Sequence, residues 1–118
     1  MYAIAQLKFT DRVAYDRYQS EFLGIFAQFR GTLLAADEHA EVVEEASGVE
    51  KVVLMSFPDR TAFIAWAESA DYRHISVNRH AGADTVVFLI AALPSASNLF
   101  MGNTSHEAAA MAERKLLW

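Results

Sequence analysis

The chain has no cysteine among its 118 residues. That removes disulfides, thiolate nucleophiles, iron–sulfur clusters and cysteine-ligated zinc, and it suits a reducing compartment. Only two prolines and five glycines are present, and the glycines are scattered. There is accordingly no glycine-rich loop to cradle a phosphate and no serine in a G-x-S-x-G elbow. Long apolar runs are missing too: Phe22 to Leu34 is broken by Arg30 and Thr85 onward is stopped by Pro94, short of the roughly 18 residues a membrane span needs. MYAIAQLKF shows no basic segment ahead of a long apolar one, so no secretion signal is expected and the protein is expected in the cytoplasm. Basic residues are outnumbered, with ten Lys and Arg against fifteen Asp and Glu for a net charge of -5. A surface of that sign does not neutralise phosphates, so no nucleic-acid partner is expected.

What the chain does have is apolar material, 53% of its residues, enough for one packed domain. Tyr2 to Phe9 alternates, placing Ala3, Ala5, Leu7 and Phe9 on one face of a strand. Thr10 or Asp11 can cap a helix on which Tyr15, Tyr18, Phe22, Ile25, Phe26 and Phe29 recur every three or four residues, with Gly31 as its stop. Thr32 to Ala36 reads as a second strand, resuming through Ala40 to Glu44. The acidic residues Asp37, Glu38, Glu41, Glu44 and Glu45 then fall on a solvated loop or edge. After the turn at Ser47-Gly48, Lys51 to Phe57 reads as a third, centrally placed strand, apolar except for Ser56 on its two faces.

Pro58 ends that strand and Asp59 caps a helix carrying Phe63, Trp66 and Ala67 inward. Ser69-Ala70-Asp71 marks a break, after which Tyr72, Ile75 and Arg79 share one side of a second short helix closed by Gly82. Thr85 to Ala92 reads as the fourth strand. The order strand-helix-strand-strand-helix-strand predicts an α+β, ferredoxin-like domain over residues 1–93, an antiparallel four-stranded sheet with helices on one face. Strands one, three and four also carry apolar side chains on the other face, which predicts a homodimer through the open sheet. In the extension, residues 94–118, Thr104-Ser105-His106-Glu107 fits a capping box opening a helix to about Leu117.

Several motifs go further. D-x-x-A-Y-x-x-Y at Asp11 to Tyr18, Gly31, V-V-x-x-S-F-P at Val52 to Pro58, A-x-x-A-W-x-x-S at Ala62 to Ser69, and Asp71-Tyr72 with Arg79 resemble the small bacterial proteins grouped as domain of unknown function 1330. The resemblance spans about residues 2 to 92 and implies a dimeric α+β barrel built of two facing ferredoxin-like sheets. It implies no particular reaction. Similar barrels include cofactor-free monooxygenases, polyketide cyclases, lactone isomerases and haem-degrading enzymes, and fold alone does not choose among them.

Four histidines are present, but His74 and His80 lie on different sides of a helix and no H-x-H or H-E-x-x-H occurs, so no metal site is expected. The haem-degrading barrels resemble this chain at A-F-x-x-W, Ala62 to Trp66. Their axial histidine would fall at Ser76 or Val77 and their strand-one asparagine near Gln6, so haem is the weaker alternative. A cofactor-free reaction needs an apolar pocket with a base and an anion stabiliser. His74 or His80 is the candidate base, Arg79 the stabiliser, and Tyr15, Tyr18, Trp66 and Tyr72 the walls.

Each has a structural alternative: Trp66 and Tyr72 as packing, Arg79 clamped to Asp71 or Asp84, His74 bonded to Asp71, His80 at a helix C-terminus. The sequence thus supports a cofactor-free domain that binds or transforms a small apolar or aromatic metabolite. The other reading is a non-catalytic module that assembles through its C-terminal helix.

Overall fold

The computed structural model describes residues 1–45 and 47–94. Strand β1 (Tyr2–Phe9) leads into helix α1 (Arg12–Phe26), followed by strands β2 (Thr32–Asp37) and β3 (Lys51–Ser56). Helices α2 (Arg60–Ala67) and α3 (Ala70–Gly82) then precede strand β4 (Ala83–Ile90). The four strands form one antiparallel sheet in the order β2-β3-β1-β4. This is the expected ferredoxin-like arrangement, with β3 and β1 central. The expected C-terminal helix lies outside the described residues.

Local chemistry sets the helix starts. Asp11 Oδ1 accepts hydrogen bonds from the amides of Val13 (3.1 Å) and Ala14 (3.2 Å). Asp59 accepts from Ala62 at 2.8 Å and Ser69 Oγ from Tyr72 at 3.2 Å. Each side chain satisfies amides that a first helical turn leaves without partners.

Two sequence expectations are corrected. Helix α1 stops at Phe26, well before Gly31. Gly31 serves packing instead: a Cβ there would sit 2.5 Å from the Phe26 ring and 2.7 Å from the Phe57 ring, so the aromatic core leaves room only for hydrogen. The second strand does not resume through Ala40 to Glu44. Asp37 Oδ1 accepts from the His39 amide at 2.7 Å, an Asx turn that bends the chain out of the sheet. Glu38 is then held by Arg12 on α1, and the residues that follow are turns and bends.

Register decides what each face carries. Leu7, Ala5 and Ala3 lie opposite Lys51, Val53 and Met55 on one side, and opposite Thr85, Val87 and Leu89 on the other. These share the face that the helices cover. The opposite face pairs Ile4 with Leu54 and Phe88, Gln6 with Val52 and Val86, and Tyr2 with Ser56 and Ile90. Phe88 is half exposed there. Helices α1 and α3 approach closely at Gly82, where a Cβ would lie 2.8 Å from Asp11 O and 2.9 Å from Tyr15 Cα. The Gly82 carbonyl accepts from the amides of Thr10 (2.9 Å) and Asp11 (3.1 Å), tying the two helices together.

Candidate ligand site between the helices and the sheet

A cavity of about 460 Å³ opens between the helices and the covered sheet face. Its size suits a small organic ligand. The sheet contributes Ala5, Leu7, Leu33, Ala36, Lys51, Val53, Met55, Thr85 and Val87. Helix α1 supplies Tyr15, Tyr18, Gln19, Phe22 and Leu23, one face at helical spacing. From α2 come Phe63, Trp66 and Ala67, and from α3 come Tyr72, Ser76, Arg79 and His80.

The aromatic wall is continuous. Trp66 and Tyr72 have ring centroids 4.2 Å apart, and Phe22 meets Trp66 edge to face at 6.0 Å. The Tyr18 and Tyr72 hydroxyls lie 3.0 Å apart and form one hydrogen bond. Burial is the main reason the Tyr15 phenol is pushed up to about 12 and the Tyr18 phenol is raised as well. At neutral pH both are therefore uncharged hydrogen-bond donors.

All four residues expected as walls, Tyr15, Tyr18, Trp66 and Tyr72, line this cavity. Of the expected catalytic candidates, Arg79 and His80 line it, whereas His74 is exposed on α3 and does not. Arg79 is clamped to neither Asp71 nor Asp84; among the described residues the ion pairs are those of Arg12 with Asp16 and Glu38. Arg79 Nε is enclosed without a hydrogen-bond partner, and one terminal nitrogen lies 3.3 Å from His80 Nε2. Trp66 Nε1 is likewise buried and unpartnered. His74 makes no hydrogen bond to Asp71; in this stretch Ser69 Oγ donates to Trp66 O and accepts from the Tyr72 amide, and Ser76 Oγ donates to Arg73 O.

Lys51 was not singled out in the sequence. It is 5% exposed, and its ammonium meets only the Gln19 side-chain oxygen at 3.4 Å and the face of the Tyr15 ring at 4.9 Å. Burial lowers its pKa, opposed by the attraction of Glu38. A signal was available: Lys51 is in phase with Val53 and Met55, the inward positions of the same strand.

Among the described residues the lining thus holds two cations, a set of neutral donors, and no aspartate or glutamate. Such a site can stabilise negative charge on a bound molecule. Metal-binding groups are absent among the described residues, where no cluster of three His, Cys, Asp or Glu occurs.

A family of proteins described as a domain of unknown function (DUF1330) matches residues 1–93. The chain belongs to that family. No match to this sequence was found among curated proteins. Among solved structures, the chain is similar to RPA0582, a protein of unknown function from Rhodopseudomonas palustris. The two share 15% identity and a TM-score of 0.68 over 80% of this chain and 82% of that one. It is also similar to SnoaB, a cofactor-independent oxygenase from Streptomyces nogalater, at 14% identity and a TM-score of 0.57, covering 80% and 94% of the two chains. At such identities the shared property is the DUF1330 chain's fold. No described helix is long and apolar enough to cross a membrane.

Proposed function

We propose that this DUF1330 protein binds a small aromatic or apolar metabolite in the cavity between helices and sheet, and transforms it without a cofactor. The observation that carries the reading is the cavity itself, about 460 Å³ with Tyr15, Tyr18, Phe22, Trp66 and Tyr72 on its helical side. Tightly packed cores do not hold empty volume of that size between aromatic rings. Arg79 is the anion stabiliser and His80, on the rim and hydrogen-bonded to it, the base; His74 stands too far outside the lining to take that role. The similarity to a cofactor-independent oxygenase agrees with such chemistry.

The working unit is a homodimer closed through the open sheet face, and its setting is the cytoplasm. The test is calorimetric titration of the full chain with 1-naphthol and with anthrone, alongside a Val87→Phe variant. Val87 lines the cavity yet is 47% exposed, so a larger ring there fills space without disturbing the core. Binding that the variant abolishes supports the reading. Binding unaffected by it, or none in the wild type to either compound or to 1-naphthoate, overturns it.

A further inference from the structure

Lys51 is the one buried charged residue of the described core, and none of the ion pairs among the described residues includes it. Two acids lie near enough to act on it, Glu38 and Asp16, but both are engaged by Arg12, which donates to Asp16 at 2.8 Å and also pairs with Glu38. Arg12 in turn repels Lys51. What remains at the ammonium is one amide oxygen at 3.4 Å and an aromatic face. A charge kept out of water on such terms is costly unless something else compensates it.

The second cation of the cavity is in the same position. Among the described residues, Arg79 has an enclosed Nε without an acceptor and no carboxylate partner. Both cations line the same cavity, where the Lys51 ammonium packs on the Tyr15 ring. Trp66 Nε1 adds another donor that lacks a partner. A neutral hydrocarbon would leave these donors unsatisfied, and a cationic ligand would be repelled by two charges with no acid among the described lining residues to offset them.

We propose that the ligand is an aromatic acid, and that Lys51 and Arg79 are the groups that recognise its carboxylate. The proposal rests on the cavity being a ligand site and narrows the class of molecule it takes. The rings of α1, α2 and α3 hold the hydrocarbon part, while the carboxylate supplies the acceptor oxygens that Lys51, Arg79 and Trp66 lack. Charge-assisted hydrogen bonds in an enclosed site give preference for the ionised form of a ligand over its neutral isostere.

Three isosteres test this by titration calorimetry of the full chain at pH 7: 1-naphthoate, 1-naphthamide and 1-naphthylmethylammonium. The naphthoate is expected to bind at least about tenfold more tightly than the amide, and the ammonium compound to bind weakest. That preference persists at about 0.5 M salt, since an enclosed ion pair is screened far less than a surface one. Lys51→Met and Arg79→Gln each bring naphthoate and naphthamide toward parity. Should Lys51→Met fail to fold, Arg79→Gln, a half-buried helix position, carries the same comparison. Equal affinities for naphthoate and naphthamide in the wild type overturn the carboxylate assignment while leaving the cavity as a ligand site. Absence of binding by all three removes both.

Discussion

At the scale of single residues, the energetic conflict in this fold is concentrated at Lys51. Its side chain is in the covered face because strand pairing puts it opposite Leu7, and the ammonium goes with it. Replacing it by methionine keeps the unbranched stem and removes the buried charge, so Lys51→Met is expected to raise unfolding free energy by about 1–3 kcal/mol. Urea denaturation at pH 7 measures this, and a loss of stability would show that the ammonium contributes to the fold. The sign of the pH dependence follows from the same burial. Lysine's folded pKa is lowered, so the folded state binds fewer protons than the unfolded one as pH approaches the ordinary value of 10.5. Lys51 therefore makes wild-type stability rise with pH in that window, a rise the methionine variant lacks.

Tyr15 acts in the opposite direction at higher pH. Its phenol is raised to about 12 from 10.0 by burial, so its contribution is complete below pH 10 and is lost as pH climbs through 12. Two pH units at about 1.4 kcal/mol each set an upper bound of about 3 kcal/mol, which solvent screening at the phenol reduces. Comparing wild type with Tyr15→Phe by denaturation between pH 9 and 11 isolates it: the phenylalanine variant should lose less stability across that range. An identical decline in both proteins would contradict the burial of the hydroxyl.

Among the elements, the caps and the end of α3 at Gly82 were legible in the sequence, and the packing roles of the glycines were not. Asp11, Asp59 and Ser69 announce helix starts because their short polar side chains bond to nearby amides, an interaction local enough to read from order alone. Gly31 and Gly82 are needed for contacts between residues far apart in sequence, Gly31 beneath the Phe26 and Phe57 rings and Gly82 against the backbone of α1. Local reading made Gly31 a helix stop, and only the packed structure shows its use. For Gly82 the consequence is testable. Gly82→Ala forces a methyl group against backbone atoms of Asp11 and Tyr15 that have no flexible end to move aside. A destabilisation of about 1–3 kcal/mol is expected, read as a lowered midpoint in urea. Since Tyr15 also lines the cavity, aromatic ligand binding should weaken with it. A neutral substitution would mean that α1 and α3 are free to separate.

The site shows the same division between local and distant information. Tyr15, Tyr18, Trp66 and Tyr72 were legible as one wall because each sits on the inward stripe of its own helix, and Arg79 was legible from its spacing to Tyr72 and Ile75. Whether His74 or His80 faced inward was not legible, since the break at Ser69 resets the helical phase and the two differ by less than two turns. Lys51 was missed because a charged residue at the start of a strand reads as an exposed end. Its burial depends on the covered face extending over Leu7, which the pairing of β1 with β3 decides.

For the whole molecule, the proposed assembly rests on the open sheet face. Tyr2, Ile4, Val52, Leu54, Val86, Phe88 and Ile90 come together on it through the β3-β1-β4 register, an apolar surface interrupted by Gln6 between Val52 and Val86. Lys8 and Asp84 face each other at one end of the same surface, charges of opposite sign that a two-fold axis can bring against a second Asp84 and Lys8. A surface that is apolar at its centre and self-complementary in charge at its margin suits a second copy of the chain. Light scattering after size exclusion should give twice the chain mass of 13.1 kDa. Phe88→Glu should return it to one chain mass, because the half-exposed ring lies beside Ile4 on the apolar face and a carboxylate there would be buried against its own copy. Folding of the variant is checked by its circular dichroism, which should match the wild type, as Phe88 points away from the helices. A wild-type mass of one chain would leave the apolar face in water and remove the dimer from the proposed function, while the cavity on the other side of the sheet would remain.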